Sequence, residues 1–369
     1  MRTTFVALVG AIASLSAASL LIACDDDKKP TETAPSATVS AAAAAPTPPP
    51  PPKPTPAEAI AKALKNFTVP YNAHDAVAAA AAMEPNGKVV QPGFPDTVGR
   101  EAITKDNQET FARYADVKVT PTRTFTNGST AVVEWTFTGK HNESKLPVGF
   151  LGASVLTYDD DGLIKEHHLY FDYPTVTSQR DPKAKAGTFR PVASAPTGPS
   201  EDHVVKGTPE EAKLLDAGKG LYAAFEKKGG DLGPFMTDDT VSDDYTTPAS
   251  VKGLKANKDM VDSFWKTFPD LAQTKSFQFA VDGFVVSEGT LTGTQKGAIG
   301  PIKATNKPVS FHFVDIIQMK DSKTVHLETF GNSAEILVEL GVMPQPGAAP
   351  ATSASAAASA APAPSAKPK

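Results

Sequence analysis

The chain repeats itself, and this internal repeat constrains the fold more than any other feature. Landmarks in residues 99–172 recur in the same order in residues 253–332. Four of them recur 154 residues later and two recur 160 residues later. The matched positions are Gly99 with Gly253, Asp116 with Asp270, Glu134 with Glu288, Thr138 with Thr292, Asp161 with Asp321, and Asp172 with Asn332. Because chance rarely preserves both order and spacing, we predict two related domains, with one loop six residues longer in the second.

The first 23 residues have the composition of a targeting segment. Arg2 precedes an apolar run that ends in Leu21-Ile22-Ala23-Cys24, which resembles the bacterial lipobox, whose cysteine is acylated. The run is short for a membrane-spanning helix, and three aspartates follow it at once. Cys24 is the only cysteine among 369 residues, so an internal disulfide is excluded. We expect a lipoprotein of the bacterial cell envelope, anchored through Cys24 at the periplasmic face of the inner membrane or at the outer membrane.

Composition divides the rest of the chain. Residues 24–55 and 344–369 are rich in Ala and Pro with almost no large apolar side chain, so we expect a disordered spacer and tail. Residues 174–206 contain spaced prolines and are expected to link folded domains at 56–173 and 207–343. Such a linker would let the two domains pack as a pseudo-dimer, and a homodimer is the other option. With 36 basic and 41 acidic residues, the chain has no electrostatic reason to bind nucleic acid.

Each domain is predicted to begin with helices and to continue as antiparallel strands. Asn127-Gly128 and Asp282-Gly283 are strong hairpin signals at matched places. Expected helices cover 57–64, 75–83, 100–114, 209–227 and 255–268. Expected strands cover 117–126, 130–140, 152–158, 163–172, 274–281, 284–294, 309–319 and 324–330. Helices grouped ahead of a curved antiparallel sheet define an α+β class.

Motifs in both halves resemble the SnoaL-like polyketide cyclases, a family with the nuclear transport factor 2-like α+β roll. The motifs are Tyr71-Asn72-Ala73-His74-Asp75, Gly99-Arg100-Glu101, Thr138-Gly139-Lys140-His141, Asp161-Gly162-Leu163-Ile164 and Tyr170-Phe171-Asp172, then Phe268-Pro269-Asp270-Leu271, Leu291-Thr292-Gly293-Thr294 and Glu339-Leu340-Gly341. The resemblance implies two tandem cone-shaped rolls. It also implies a pocket between helices and sheet that takes a small apolar or polycyclic molecule.

The resemblance further implies an acid/base site on the last strand, where these cyclases carry an aspartate. Asp172 stands at that position and is the candidate acid/base. Strand alternation places Glu166, His168 and Tyr170 on the face of Asp172. His168 and Tyr170 are therefore candidate assisting residues, and Glu166 is a candidate pocket residue. The alternative is that this face is solvated, and the sequence leaves both hypotheses open.

The family's second polar residue lies on the preceding strand, and here the two copies divide the pair. Counting six residues back from the hairpin aspartate gives Val155 in the first domain and Asp315 in the second. The second domain carries Asn332 in place of the terminal aspartate, and Asn does not transfer a proton at neutral pH. Each copy thus keeps one half, which favours binding over full cyclase activity.

Further pocket candidates lie on the central and last strands. Glu134 and Glu288 hold matched positions, and His326 and Glu328 share the face of Asn332. For the glutamates, an exposed strand face is the alternative. Trp135 is included among the pocket candidates, although its place on a strand favours the core.

No motif indicates a cofactor or a metal. The histidines lack zinc spacing, no glycine loop is followed by Lys-Ser/Thr, and no Gly-x-Ser-x-Gly is present. The leading hypothesis is a lipid-anchored tandem protein that binds small apolar molecules. The second is a cyclase or isomerase in which Asp172→Asn abolishes turnover with little change in melting temperature. The third is an interaction scaffold whose rolls pair through their sheets.

Overall fold

The computed structural model describes residues 53–344. The expected leader, Cys24, most of the spacer and the tail beyond residue 344 lie outside the described residues. Within the described part, no helix is both long and apolar enough to cross a bilayer. The helices are α1 Pro56–Asn72, α2 Ala76–Ala80, α3 Arg100–Arg113, α4 Tyr173–Gln179, α5 Pro209–Glu226, α6 Leu254–Thr267 and α7 Ser333–Glu339. The strands are β1 Met83–Val90, β2 Thr97–Val98, β3 Tyr114–Asn127, β4 Thr130–His141, β5 Pro147–Tyr158, β6 Ile164–Tyr170, β7 Glu201–Val204, β8 Val241–Asp244, β9 Val251–Lys252, β10 Ala272–Val281, β11 Phe284–Thr294, β12 Pro308–Lys320 and β13 Lys323–Gly331.

Two sheets carry the fold, and with their helices they confirm the expected α+β class. The first has the order β2-β1-β6-β5-β4-β3-β7 and the second β10-β11-β12-β13-β8-β9. We call the elements α1 to β7 domain 1 and the elements α5 to α7 domain 2. The four predicted strands of each domain, β3 to β6 and β10 to β13, pair antiparallel as expected, but β1 pairs parallel with β6 and β8 pairs parallel with β13. The strands β1 and β8 were missed because their sequences do not alternate between polar and apolar residues.

The first helix of each domain begins with the same local signal. Thr55 accepts a hydrogen bond from the Glu58 amide, while the Glu58 carboxylate accepts one from the Thr55 amide at 2.7 Å. Thr208 and Glu211 form the same capping box on α5, and a proline follows each threonine. This reciprocal pair satisfies amides that the first helical turn leaves free. The repeat therefore extends further toward the start of each domain than the first matched pair, Gly99 with Gly253.

The expected linker is partly structured and completes domain 1. Its first residues form α4, and its last residues form β7, which adds to the edge of the first sheet beside β3. Buried Gln179 at the end of α4 joins the linker to β5: it accepts from the Gly149 amide at 3.0 Å and donates to the Gly149 carbonyl at 2.9 Å.

The two domains pack through the sheet faces that point away from their helices. Domain 1 contributes Phe125 and Val132 to a shared apolar cluster, and domain 2 contributes Phe284, Ile316 and Phe330. The rings of Phe125 and Phe284 meet at a centroid distance of 5.1 Å. Side chains along each strand thus alternate between two buried faces of the sheet. One face packs on the helices, and the other packs on the other domain.

Asp172 and Asn332 lie where the domains meet and cap each other's helices. Asp172 caps α4 through the Thr175 amide at 2.9 Å and also accepts from the Ser333 amide of α7 at 3.0 Å and the Ser333 hydroxyl at 2.5 Å. Asn332 caps α7 and accepts from the Tyr173 amide of α4 at 3.1 Å. Each residue therefore caps the helix of its own domain and also accepts a hydrogen bond from the first amide of the other domain's helix.

This exchange explains why one copy has aspartate and the other asparagine. Asn332 also donates its amide group to the Pro92 carbonyl at 2.6 Å, which a carboxylate could not do. A second carboxylate would also lie close to buried Asp172, and like charges disfavour each other in such a site. The expectation that Asp172 faces a concave pocket is corrected: β6 ends at Tyr170, and Asp172 begins the next helix.

We expect Asp172→Ala to lower the free energy of unfolding by about 2–4 kcal/mol, because α4 loses its cap and the Ser333 amide and hydroxyl of α7 lose their acceptor. Chemical denaturation would measure this. Asp75→Ala is the matched control, since Asp75 caps α2 alone and is exposed, and should cost about 1 kcal/mol. Equal losses for the two variants would contradict the shared cap.

Candidate functional site

The interior of domain 1, between helices and sheet, is filled with aromatic rings. Phe137 and Phe150 stack at 4.8 Å between centroids, and Phe150 lies 4.9 Å from Phe171. Trp135 covers its cross-strand partner Gly152, where an added Cβ would lie 2.4 Å from the indole. These side chains occupy the place where a roll of this kind would hold a ligand.

Domain 2 carries smaller residues at the matched positions. Strand pairing matches Trp135 with Gly289, Phe137 with Leu291, and Phe171 with Gly331. Domain 2 has one additional aromatic ring on the neighbouring strand. Phe313 pairs with Gly289, whereas in domain 1 its counterpart Gly152 pairs with Trp135. In total, the side chains at these four matched positions have less volume in domain 2 than in domain 1. Domain 2 accordingly contains a cavity of about 110 Å³.

The cavity is apolar over most of its wall and polar on one side. Apolar lining comes from α5, the segment between α5 and β8, α6 and the inner face of the second sheet: Leu221, Phe225, Leu232, Met236, Met260, Val261, Phe264, Leu291, Phe311, Phe313, Ile317 and Leu327. The polar lining residues are Tyr222, Ser242, Asp244, Asn257, Gln273, Asp315 and Thr329. An apolar wall with a few converging polar groups is the usual form of a small-molecule site.

Asp315 is the most enclosed carboxylate of this polar side. Its oxygens accept hydrogen bonds from the Tyr222 and Thr329 hydroxyls, both at 2.6 Å. Burial raises the pKa of Asp315 to about 6, against the two hydroxyls, which lower it, and the negative charge of Asp244 adds to the rise. Burial and the Asp315 charge raise the pKa of Tyr222 far above its usual value, so Tyr222 remains a donor. Asp315 can thus change its protonation state near neutral pH.

Asp244 brings a second carboxylate to the same cavity, from the end of β8. Its Oδ1 atom accepts from the Thr246 amide at 2.9 Å and the Thr246 hydroxyl at 2.7 Å. Among residues 53–344, no side chain or amide donates to its Oδ2 atom, which leaves that oxygen free for a ligand. Burial raises the pKa of Asp244, and the charge of Asp172 adds to the rise. Two carboxyl groups in one apolar cavity favour a state in which one of them holds a proton.

The row Glu166, His168 and Tyr170 shares one face, as the alternation indicated, but that face points to domain 2. His168 Nδ1 lies 2.6 Å from the Glu288 carboxylate, and Tyr170 donates to the same oxygen at 2.8 Å. Burial lowers the pKa of His168, but Glu288 and Glu166 together outweigh it and raise that pKa. Glu166, His168 and Glu288 line a cleft of about 80 Å³ between the sheets. The expectation that they line a concave pocket is corrected, because sheet packing, not alternation, decides which face turns inward.

Glu134 and Glu328 also belong to the domain contact. The guanidinium of Arg123 forms ion pairs with both carboxylates, one from each domain. Tyr245 donates to Glu328 at 3.0 Å, and His326 contacts Asp243 at 2.8 Å. These glutamates are buried and paired rather than exposed on a strand face or open to a ligand. Arg123 was not predicted, although a lone arginine in a strand with buried neighbours could have suggested a partner.

Trp135 lies in the core of domain 1, where it contacts Ser154 on the neighbouring strand. Its Nε1 donates to the Ser154 hydroxyl at 2.9 Å, and Ser154 lies 2.8 Å from His167 Nε2. Burial lowers the pKa of His167 to about 4, so this imidazole stays neutral.

Cross-strand pairing makes Ser154, not Val155, the counterpart of Asp315. The count failed because the β5–β6 hairpin is one residue longer than the β12–β13 hairpin.

Of the predicted site residues, the cavity of domain 2 therefore contains Asp315 alone. Tyr222 and Asp244 were missed. A tyrosine within a helix and a polar four-residue strand are common features, so each gives little signal by itself. Asp315 was found by counting six residues back from Asp321, and it also interrupts the apolar strand Phe313 to Ile317.

The fold and this cavity define a tandem pair of nuclear transport factor 2-like rolls. Residues 65–167 match the SnoaL-like domain model, and residues 221–340 match the SnoaL-like polyketide cyclase model. Together the matches cover more than half of the chain, which belongs to the SnoaL-like family with two such domains in tandem. No curated protein matches the chain.

Solved structures match over about a third of the chain each. One is a protein of Jannaschia sp. CCS1 described as a SnoaL-like polyketide cyclase, 16% identical, with a TM-score of 0.34, covering 38% of this chain and 99% of that chain. Another is an epoxide hydrolase of M. tuberculosis, 23% identical, with a TM-score of 0.30, covering 34% and 91%. A third has a ketosteroid isomerase-like fold and comes from Catenulispora acidiphila, 19% identical, with a TM-score of 0.30, covering 32% and 91%.

The raised pKa of Asp315 predicts a pH-dependent stability. Between the usual value of 3.8 and about 6, the folded state holds a proton that the unfolded state has released. The free energy of unfolding should therefore fall as pH rises from 4 to 6, by up to about 3 kcal/mol, and Asp315→Asn should remove this fall. Chemical denaturation across that range would measure it.

Thr329→Val is the informative second variant. It removes a hydroxyl that lowers the pKa of Asp315, so the fall should grow and extend to higher pH. The same pH dependence in all three proteins would contradict a titrating Asp315.

Proposed function

We propose that domain 2 binds a small, mainly apolar molecule that carries one hydrogen-bonding group, such as a ketone or a hydroxyl. The single observation that carries this proposal is the asymmetry between the two interiors. Domain 1 is filled by Trp135 and its neighbouring rings, whereas the matched positions of domain 2 leave a cavity with Asp315 and Asp244 in its wall. Burying the apolar part of the ligand contributes roughly 25 cal/mol per Å² of surface removed from water.

The polar side of the cavity would orient the ligand. The free Oδ2 atom of Asp244 can accept a hydrogen bond from a ligand hydroxyl when it is ionised. When Asp315 or Asp244 holds a proton, that group can donate to a ligand carbonyl instead. A polar group of the ligand that found no such partner would cost about 1–3 kcal/mol, so these carboxyls would select ligands by hydrogen bonding.

A second candidate function is proton transfer, and the paired carboxyls of domain 2 favour it. One protonated and one ionised carboxyl in an apolar site can act as acid and base on the same molecule. The match of residues 221–340 to the polyketide cyclase model supports this candidate for domain 2. If such chemistry occurs, we assign it to Asp315 and Asp244 rather than Asp172, whose oxygens are committed to helix caps. Domain 1 would then act as the packing partner, which keeps part of the scaffold hypothesis.

The cavity can be tested with an exchange that the protein itself contains. Leu291→Phe copies Phe137 of domain 1 into domain 2 and should fill space beside Phe311. We expect it to weaken binding of 2-naphthol, a two-ring probe with one hydroxyl, by tenfold or more in a fluorescence titration. Thermal-shift screening with polycyclic ketones, steroids and quinones would then define the ligand class.

The reciprocal change Phe137→Leu is the matched control. It opens space in domain 1, so it should lower stability by about 1–2 kcal/mol and leave 2-naphthol affinity unchanged. Absence of 2-naphthol binding to the unaltered protein, together with no thermal shift from any ligand class, would count against the proposed function.

We also propose that acyl chains on Cys24 hold the protein at a membrane of the bacterial cell envelope. The lipobox-like Leu21-Ile22-Ala23-Cys24 supports this, and burial of acyl methylenes at about 0.8 kcal/mol each would supply the anchoring energy. Cys24→Ser should move the protein from the membrane fraction to the soluble fraction and abolish incorporation of labelled palmitate. Unchanged membrane association of this variant after a carbonate wash would contradict the anchor.

A further inference from the structure

We propose that Arg190, in the segment of domain 1 between α4 and β7, is a positioning residue for the cavity carboxylate Asp244. Ligand binding in domain 2 would then depend on a side chain that domain 1 holds in place. This inference rests on the proposed function, because it concerns the same cavity. Arg190 itself is absent from the cavity lining.

The guanidinium of Arg190 binds the chain around Asp244 at several points. Its Nε donates to the Thr247 carbonyl at 2.6 Å, and one terminal nitrogen donates to the Asp244 carbonyl at 3.0 Å. The other terminal nitrogen pairs with the Asp243 carboxylate at 2.7 Å. The guanidinium carbon also lies 5.0 Å from the centre of the Tyr245 ring. A planar fork of donors matches such an arrangement, and a lysine could not reproduce it.

Arg190 contacts the part of β8 that has no paired strand on one side. β8 is only four residues long, and its pairing with β9 covers Val241 and Ser242 but not Asp243 or Asp244. On its other side, β13 pairs with all four residues. Arg190 therefore supplies hydrogen bonds to the half of β8 that β9 leaves open. Since Asp244 is the last residue of this strand, its position depends on those bonds.

Domain 1 fixes the backbone of Arg190. The side-chain amide of Gln179 donates to the carbonyls of Arg190 at 3.2 Å and Pro191 at 3.3 Å. A little further along, the Ala193 amide donates to the Gly149 carbonyl of β5 at 2.8 Å. The connection thus runs from β5 through Gln179 and Arg190 to Asp244. It consists of hydrogen bonds of known length at every step.

Charge gives the contact a second effect on the cavity. The groups that act on Asp244 are Asp172 at the start of α4, Asp315 from β12, Arg190 from the segment between α4 and β7, and the Thr246 amide and hydroxyl. Burial raises the pKa of Asp244 and Asp172 adds to this, whereas Thr246 and the positive charge of Arg190 lower it. Loss of the guanidinium should therefore make Asp244 protonate at a higher pH.

The experiment compares Arg190→Gln and Arg190→Lys with a matched linker variant, Arg180→Gln. Among residues 53–344, the Arg180 side chain forms hydrogen bonds only within domain 1, to the Tyr114 and Tyr173 hydroxyls at 3.3 and 3.4 Å. Two measurements are made on the full chain: amide hydrogen exchange of residues 241–247, and the affinity for 2-naphthol between pH 5 and 8. Hydrogen exchange requires no ligand, so it tests the contact independently of the proposed function.

We expect Arg190→Gln to speed exchange of residues 241–247, to weaken 2-naphthol binding about tenfold at pH 7, and to move the loss of affinity on acidification to higher pH. Arg190→Lys should keep the pH profile, because it keeps the charge, while restoring only part of the affinity. Arg180→Gln should match the unaltered protein in all three respects.

The possible negative results separate the role of Arg190 from ligand binding by domain 2. If the unaltered protein binds 2-naphthol and Arg190→Gln binds it equally at every pH, the inference is wrong and the proposed function stands. Equal losses in Arg190→Gln and Arg180→Gln would indicate a general loss of stability and would also overturn the inference. Unchanged exchange of residues 241–247 in Arg190→Gln would overturn it as well. If the unaltered protein does not bind 2-naphthol, the proposed function fails for this probe, and the inference falls with it.

Discussion

The contact between the outer faces of the two sheets is the interaction on which the rest of the structure depends. Its centre is apolar, with Phe125 of domain 1 against Phe284 of domain 2. Arg123 pairs with a glutamate from each domain within it. Because a buried charge without its partner costs several kcal/mol, these ion pairs tolerate only one alignment of the sheets. That alignment also brings Asp172 and Asn332 to each other's helices and Arg190 to β8.

Joining the two copies in one chain allows them to differ, and the differences fall on the inner faces. In a dimer of identical chains, a change that opens one interior opens both. Here Trp135 and Phe137 fill domain 1, while Leu291, which matches Phe137, lines the cavity of domain 2. The same freedom permits aspartate at 172 and asparagine at 332, which avoids two neighbouring carboxylates. One domain can therefore be packed for stability while the other keeps a cavity.

The candidate site was only partly predictable, and the reason differs from residue to residue. The period of two correctly grouped Glu166, His168 and Tyr170, because alternation is a local property of a strand. It could not indicate whether that face meets the helices or another sheet. Asp172 was misplaced because a strand was assumed to continue through a helix cap. Tyr222 and Asp244 were missed because only long-range packing brings them to Asp315.

The sequence by itself determined the tandem repeat, the α+β class, the central hairpins and the capping signals, since each depends on spacing between near neighbours. Tertiary structure alone decided which sheet faces meet, which interior stays open, and which carboxyl groups share it. Those outcomes depend on contacts between residues far apart in the chain, such as Arg123 with Glu328 or Arg190 with Asp243. Local spacing carries no information about such contacts, because they form only when whole sheets pack against each other.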